Sequence, residues 1–192
     1  MLRKLTLVFV LFWGIAGCSP KLTSARLTEQ QLPAGAKIAV LPFENLSGKE
    51  GASEKITEYF VMALQGKKNM KICEFGEVYN HMRQFRVRST SLLTSNQIDS
   101  LSFALGINYV VAGSVLDFRE TDNQYLGKVP QVSLNVRLID CDSYKTVWIG
   151  VVNARGDQSE WIFGIGAVRS LEELAHSVVN QAADNIGSMF RK

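Results

Sequence analysis

Side chains that could carry catalysis or bind a metal are few in this 192-residue chain. Its two histidines, His81 and His176, are far apart and lack the paired spacing of metal ligands. No Gly-x-Ser-x-Gly sequence marks a nucleophilic serine. Gly164-Ile165-Gly166 is only a fragment of a glycine-rich phosphate loop. We therefore expect no enzyme activity and no cofactor, metal or nucleotide site.

A cysteine near the amino terminus has the context of a lipid-attachment site. Cys18 closes the tetrapeptide Ile15-Ala16-Gly17-Cys18, after the basic pair Arg3-Lys4 and an apolar run from Leu5 to Ile15. That order is typical of a secretory signal, and the cysteine resembles the lipobox of diacylglyceryl-modified bacterial proteins. The apolar run is too short for a spanning helix, which needs about 20 residues. We predict that residues 1–17 are a removed signal peptide and that Cys18 is acylated.

The lipid anchor determines the expected location and the expected partners. Several acyl chains on Cys18 would hold the protein permanently on a membrane. Ser19 stands where an aspartate would resemble an inner-membrane retention signal, so the resemblance implies the outer membrane, facing the periplasm. The signal peptide contains two of the 21 basic residues, against 18 acidic ones in the whole chain, so the mature protein is nearly neutral. We therefore expect no nucleic-acid partner.

The other two cysteines leave two alternatives open. Cys73 and Cys141 each lie within an apolar segment. They can form a disulfide in an oxidising periplasm, or each can serve as a small buried hydrophobic residue.

The amino-terminal part of the mature chain has the composition of a linker. Residues 19–35 are rich in Ser, Thr, Lys and Gln, contain Pro20 and Pro33, and show no sustained apolar period. We predict an acylated terminus and linker over 18–36, with a reach on the order of 50 Å when extended. One domain, 37–192, follows it.

The pattern over residues 37–192 predicts an α/β domain. Apolar runs alternate with helical periods in its first part, as in parallel strands joined by right-handed crossovers. Alternating apolar and polar residues then indicate an antiparallel hairpin. We predict a three-layer-type mixed sheet, with parallel βαβ units followed by an antiparallel hairpin, flanked by helices. The predicted strands are 37–43, 70–75, 108–118, 132–141 and 146–154, and the predicted helices begin at Ser53, Glu77, Ser95 and about Val168.

Two segments between these elements are candidate partner-binding surfaces. The first is an apolar stretch before the last helix, which either forms an exposed patch or packs under that helix. The second is the polar stretch 119–129, which is either a contact surface or a solvated hairpin connection. The residues of the candidate patch are Trp161, Ile162, Phe163 and Ile165.

Three blocks resemble one family of bacterial envelope proteins. The string Lys-Ile-Ala-Val-Leu-Pro-Phe-Glu-Asn-Leu-Ser-Gly at 37–48 is similar to the opening strand of domains like the TolB amino-terminal domain and the curli secretion lipoprotein CsgG. The blocks 105–115 and 132–148 resemble the same group in the same order. The resemblance implies a non-enzymatic envelope module, such as a secretion-pore subunit, a flagellar-assembly lipoprotein or an activator of a peptidoglycan synthase like LpoB.

Two functions follow as hypotheses. The first is an outer-membrane lipoprotein that docks a periplasmic or outer-membrane protein through its surface loops. The alternative is a subunit of an oligomeric CsgG-like secretion ring, packed through a sheet edge or through the patch around Trp161 and Phe163. A pore made by this chain alone is disfavoured, because 119–129 and 156–167 are too short for membrane hairpins, whose strands each need about 9 to 11 residues.

Overall fold

The computed structural model describes residues 21–87, 89–90, 92–125, 127–158 and 167–191. The lipidation candidate Cys18 and the whole apolar patch around Trp161 lie outside these described residues. Seven strands and four helices form the described part. They are β1 (Lys21–Arg26), β2 (Ala36–Val40), β3 (Glu44–Asn45), α1 (Ala52–Gln65), β4 (Met70–Ile72), α2 (Phe75–Gln84), α3 (Ser95–Leu105), β5 (Tyr109–Asn123), β6 (Gly127–Asp140), β7 (Thr146–Arg155) and α4 (Leu171–Ser188).

The strands form one mixed sheet in the order β1-β7-β6-β5-β2-β4, and β3 pairs with β5 beyond the end of β2. Strands β2, β4 and β5 are parallel. Strands β5, β6, β7 and β1 are antiparallel. The sheet is flanked by helices, which confirms the predicted fold class.

The helices cover the sheet from both sides because the first two crossovers run in opposite directions. The chain passes from β2 to the edge strand β4 through α1, and it returns past β2 to β5 through α2 and α3. Right-handed crossovers in opposite directions place their helices on opposite faces. Helices α1 and α4 share one core with Ile38, Val40, Leu134 and Trp148. Helices α2 and α3 share the other with Ala39, Leu41 and Val110.

The helix boundaries follow local capping chemistry. Thr94 caps α3 in a reciprocal arrangement with Gln97, and Gly106 ends the helix in the left-handed conformation at φ 60°. Helix α4 is capped by the Ser170 side chain. Helix α1 begins at Ala52, one residue before the predicted start at Ser53, and Gly51 occupies the capping position without a side-chain bond.

The amino-terminal segment differs from the predicted linker. Residues 21–26 form β1 and pair antiparallel with β7 along their full length. Leu32 is buried and hydrogen-bonds the carboxyl-terminal Met189 and Arg191 through its backbone. The described side chains of β1 are exposed except for the partly buried Leu22, so β1 is held mainly by backbone pairing and shows no apolar period in the sequence.

The segment 119–129 is also more ordered than a loop. Strands β5 and β6 remain paired as far as Asn123 and Gly127, so most of the polar stretch is an extension of the two strands. Its polarity reflects how little of this end of the hairpin is covered, since most of its described side chains are partly or fully exposed.

Cys73 and Cys141 have free thiols and are both buried. Cys73 follows β4 and Cys141 follows β6, with β2 and β5 between those strands. Three strand spacings of about 4.8 Å put the two cysteines roughly 14 Å apart, whereas a disulfide needs Cα atoms within about 7 Å. The topology therefore excludes the disulfide alternative. Burial raises the pKa of the Cys141 thiol to about 12.

Close packing at Gly113 provides a test of this arrangement. A Cβ there would stand less than 3.0 Å from both the Phe43 ring and the Asn135 carbonyl oxygen. We expect G113A to lower the free energy of unfolding by about 1–3 kcal/mol through overpacking. Gly76 on α2 has open space around it, so G76A should raise that free energy by up to about 1 kcal/mol. Urea unfolding followed by circular dichroism measures the free energy of unfolding of both variants. Equal changes in the two variants would contradict the close packing at Gly113.

Candidate binding cleft

A cleft of about 690 Å³ opens where β2 ends and the chain crosses to β3. The crossovers that leave the neighbouring carboxyl ends of β2 and β4 go to opposite faces of the sheet. Open α/β sheets bind ligands at the carboxyl ends of strands at such positions. The cleft is lined by Pro42, Phe43, Glu44, Asn45, Leu46, Tyr79, Met82, Arg83, Arg86, Val87 and Thr90.

The floor of the cleft is anchored to α1. The backbone N–H of Phe43 donates to the Thr57 hydroxyl at 3.0 Å, and that hydroxyl donates to the Ser53 carbonyl at 2.6 Å. The Phe43 ring packs against Phe60, with ring centroids 5.1 Å apart. The floor is therefore fixed by side chains on the buried face of α1.

Strand β3 and the turn after it form one wall. Glu44 and Asn45 pair with β5, and the Leu46 N–H donates to the Val115 carbonyl at 2.9 Å. The Asn45 side chain closes the turn by donating to the Lys49 carbonyl at 2.7 Å. Leu46 is left 63% exposed at the rim.

Helix α2 forms the opposite wall and ends in an unusual conformation. The N–H of Arg86 donates to the Arg83 carbonyl, and the N–H of Val87 donates to the Met82 carbonyl at 3.0 Å. These two bonds define a Schellman motif, in which glycine usually takes the left-handed position. Here Arg86 takes it, with φ 51°. The motif turns Arg86 and Val87 back over the cleft.

Three hydrogen bonds clamp the chain after α2 to the sheet. The Ser89 hydroxyl donates to the Glu44 carboxylate at 2.5 Å, and the Thr90 hydroxyl donates to the Pro42 carbonyl at 2.9 Å. The Arg137 guanidinium donates to the Thr90 carbonyl at 3.3 Å. Thr90 is only 4% exposed, so the segment around it is packed against the domain and forms a fixed part of the cleft wall.

The cleft combines apolar surface with two exposed guanidinium groups. Arg83 lies over the ring of Tyr79, 6.0 Å from its centroid. Within the described residues Arg86 has neither a hydrogen bond nor an ion pair through its side chain. Tyr79 is 48% exposed. Aromatic and arginine side chains of this kind are enriched in protein interfaces.

A histidine and a serine meet between α2 and α3, and a pair of this kind forms part of a Ser-His-Asp site. His81 Nε2 lies 3.0 Å from the Ser100 hydroxyl, and its ring stacks on Phe85 at 4.3 Å. In the described ranges His81 bonds no carboxylate that would orient it as a base. The described residues likewise contain no group of three or more potential metal ligands among His, Cys, Asp and Glu. The observed contact links α2 to α3.

The stretch that contains the apolar patch starts and ends at one point beside β6. Val168 N–H donates to the Gly156 carbonyl, and Gly156 N–H donates to the Pro130 carbonyl, both at 2.9 Å. A side chain at Gly156 would collide with the Val168 carbonyl and with the Pro130 ring. This stem is described, whereas Trp161, Ile162, Phe163 and Ile165 are not. Among the described helices, none combines the length and the apolar composition that a membrane span requires.

Sequence reasoning did not find the cleft. In the sequence Arg83 and Arg86 belong to a small basic cluster typical of a solvated face, and the segment 42–46 covers the end of the predicted strand 37–43 and the start of a turn. The available signal was the position of the segment 42–46 at the end of a buried parallel strand. Clefts form at such strand ends where the strand order reverses. That reversal becomes visible only in the sheet order.

Solved structures share this fold at low sequence identity. The PelC dodecamer from Paraburkholderia phytofirmans matches with a TM-score of 0.61 and 15% identity, over 90% of this chain and 99% of that one. Lipoprotein GNA1162 from Neisseria meningitidis matches with a TM-score of 0.55 and 22% identity, over 78% and 99%. The hypothetical protein CT253 from Chlamydia trachomatis matches with a TM-score of 0.57 and 13% identity, over 81% and 97%.

These likenesses establish the fold alone, and the fold occurs in at least one bacterial lipoprotein. No protein-family model matches the chain, and no curated protein sequence matches it significantly. The more specific resemblance to TolB and CsgG stays a prediction.

Burial of His81 predicts a dependence of stability on pH. Burial lowers the pKa of His81, so the unfolded chain binds more protons than the folded one as the pH falls below about 6.5. The free energy of unfolding should therefore fall there. H81Q keeps a bond to Ser100 without titrating and should flatten the fall. Urea unfolding between about pH 7 and pH 5 measures this, and an unchanged slope in H81Q would refute it.

Proposed function

We propose that this protein is an outer-membrane lipoprotein, facing the periplasm, that acts as a non-enzymatic binding or assembly module for an envelope machine. The observation that carries the proposal is the cleft, whose apolar and guanidinium side chains stand on walls clamped to the sheet. The fold also occurs in a bacterial lipoprotein, GNA1162. The candidate machines remain a peptidoglycan synthase, which the module would regulate, and a secretion or flagellar assembly.

The position of β1 changes the reach of the proposed tether. Only Ser19 and Pro20 separate the acylation candidate Cys18 from the start of β1 at Lys21. An extended chain covers about 3.3–3.6 Å per residue, so the tether spans on the order of 10 Å. A domain held so closely meets partners at the membrane surface, and it does not extend toward distant peptidoglycan as the longer linker would allow.

A ring subunit is the second candidate function. Strands β1 and β4 are the two ends of the main strand order, and a strand at a sheet edge can pair with another chain. The six residues of β1 offer the longer edge. A chain of similar fold forms the PelC dodecamer. In this alternative the edge, or the patch around Trp161 and Phe163, contacts a neighbouring copy.

The native mass of the full-length protein separates the two candidates. Cells are crosslinked, the outer membrane is extracted in mild detergent, and the particle mass and co-purifying proteins are determined by mass spectrometry. We expect a monomer-sized particle with one further envelope protein, crosslinked near the cleft at positions such as Lys49. A large homogeneous assembly of this chain would instead support the ring.

The matched control removes the acylation site. C18S should leave the outer-membrane fraction and lose the co-purifying protein, because the domain would no longer be held at the membrane. A bare monomer from the unaltered chain would contradict the binding module. Outer-membrane retention of C18S would contradict the lipid anchor.

A further inference from the structure

The two arginines of the cleft indicate the chemistry of its occupant. We propose that the cleft binds a carboxylate-bearing peptide segment of a protein partner, with Arg83 and Arg86 holding the carboxylates and Leu46 and Tyr79 contacting apolar side chains. This inference rests on the proposed function as a binding module and names the kind of segment that the module recognises.

The backbone at Arg86 is the first argument. Its φ of 51° lies in the left-handed region, where an L-residue brings its Cβ too close to the following carbonyl oxygen. Glycine takes this position of a Schellman motif without that cost. Sparsely populated conformations of this kind concentrate at ligand clamps and other functional sites. At Arg86 the guanidinium group, which the side chain brings over the cleft, gives a functional reason for the unfavourable backbone conformation.

Charge is the second argument. Arg83 and Arg86 stand three residues apart at the end of α2, both with exposed side chains. Neither guanidinium forms a hydrogen bond or an ion pair within the described residues. Glu44 is the acidic residue in the described lining, and it already accepts a bond from Ser89. Guanidinium groups fit carboxylates by paired, charge-assisted hydrogen bonds, so the cleft is complementary to an acidic group.

The shape of the cleft favours a peptide segment over a compact metabolite. Small-molecule sites enclose most of the ligand surface. Here the rim residues Leu46 and Tyr79 remain about half exposed or more. An extended segment can follow this surface and bury it, whereas a compact ligand would leave it in water.

The test uses full-length protein in detergent micelles and a fluorescein-labelled peptide of alternating glutamate and leucine. Fluorescence anisotropy at low salt should show saturable binding, weaker at high salt because the charges are screened. A matched peptide with glutamine in place of glutamate should bind about tenfold more weakly, since hydrogen bonds to charged groups contribute more than neutral ones. Empty micelles give the background for both peptides.

Three variants test the residues. R86G removes the guanidinium while easing the backbone, so its melting temperature should stay equal or rise while its affinity for the acidic peptide falls about tenfold. R83Q should lose a similar factor. The matched control K145Q removes one charge from the exposed turn between β6 and β7 and should keep the affinity.

The proposal is overturned if the acidic peptide shows no saturable binding, if the glutamine peptide binds equally well, or if R86G binds like the unaltered protein. R86G stays folded by the melting measurement, so its loss of binding cannot be ascribed to unfolding. The peptide assay needs no native partner. A failure here therefore leaves the co-purification result standing, and a failure of co-purification leaves this binding result standing.

Discussion

The structure depends on the burial of β2 and the residue after it on both faces. Ile38 and Val40 point into the core under α1 and α4, while Ala39 and Leu41 point into the core under α2 and α3. All four are at most 1% exposed. A strand buried on both sides needs helices on both sides, and only crossovers in opposite directions provide them. This one requirement sets the strand order and the three layers.

The cleft is a consequence of the same requirement. Because the crossover from β2 takes one face of the sheet and the crossover from β4 takes the other, the two diverge at the neighbouring carboxyl ends of these strands. Strand β3 fills part of this gap by pairing with β5, and α2 with the clamped segment around Thr90 borders the rest. The arginines stand at this border because α2 ends there. The packing of the core therefore positions surface residues that contribute little to it.

The antiparallel half of the sheet has a different role. Strands β5 and β6 extend together well beyond the parallel strands, and β7 carries β1 on its outer edge. This half brings the amino-terminal strand and the stem at Gly156 onto one continuous sheet. The domain thus includes residues that the composition assigns to a linker, and any membrane anchor at Cys18 lies within a few residues of the folded part.

Local patterns in the sequence determined much of this protein. Three patterns predicted the mixed α/β sheet: the apolar run at 37–43, which indicates burial on both faces, the helical periods, and the alternation from Val132. Each pattern indicates which faces of an element are buried away from water. Strand β1, the paired extension of 119–129 and the separation of Cys73 from Cys141 were decided only by tertiary structure. Tertiary structure alone also brought Arg83 and Arg86 beside the end of β2. Each depends on which strand lies beside which, and strand pairing through backbone hydrogen bonds leaves no periodic mark in side chains that remain in water.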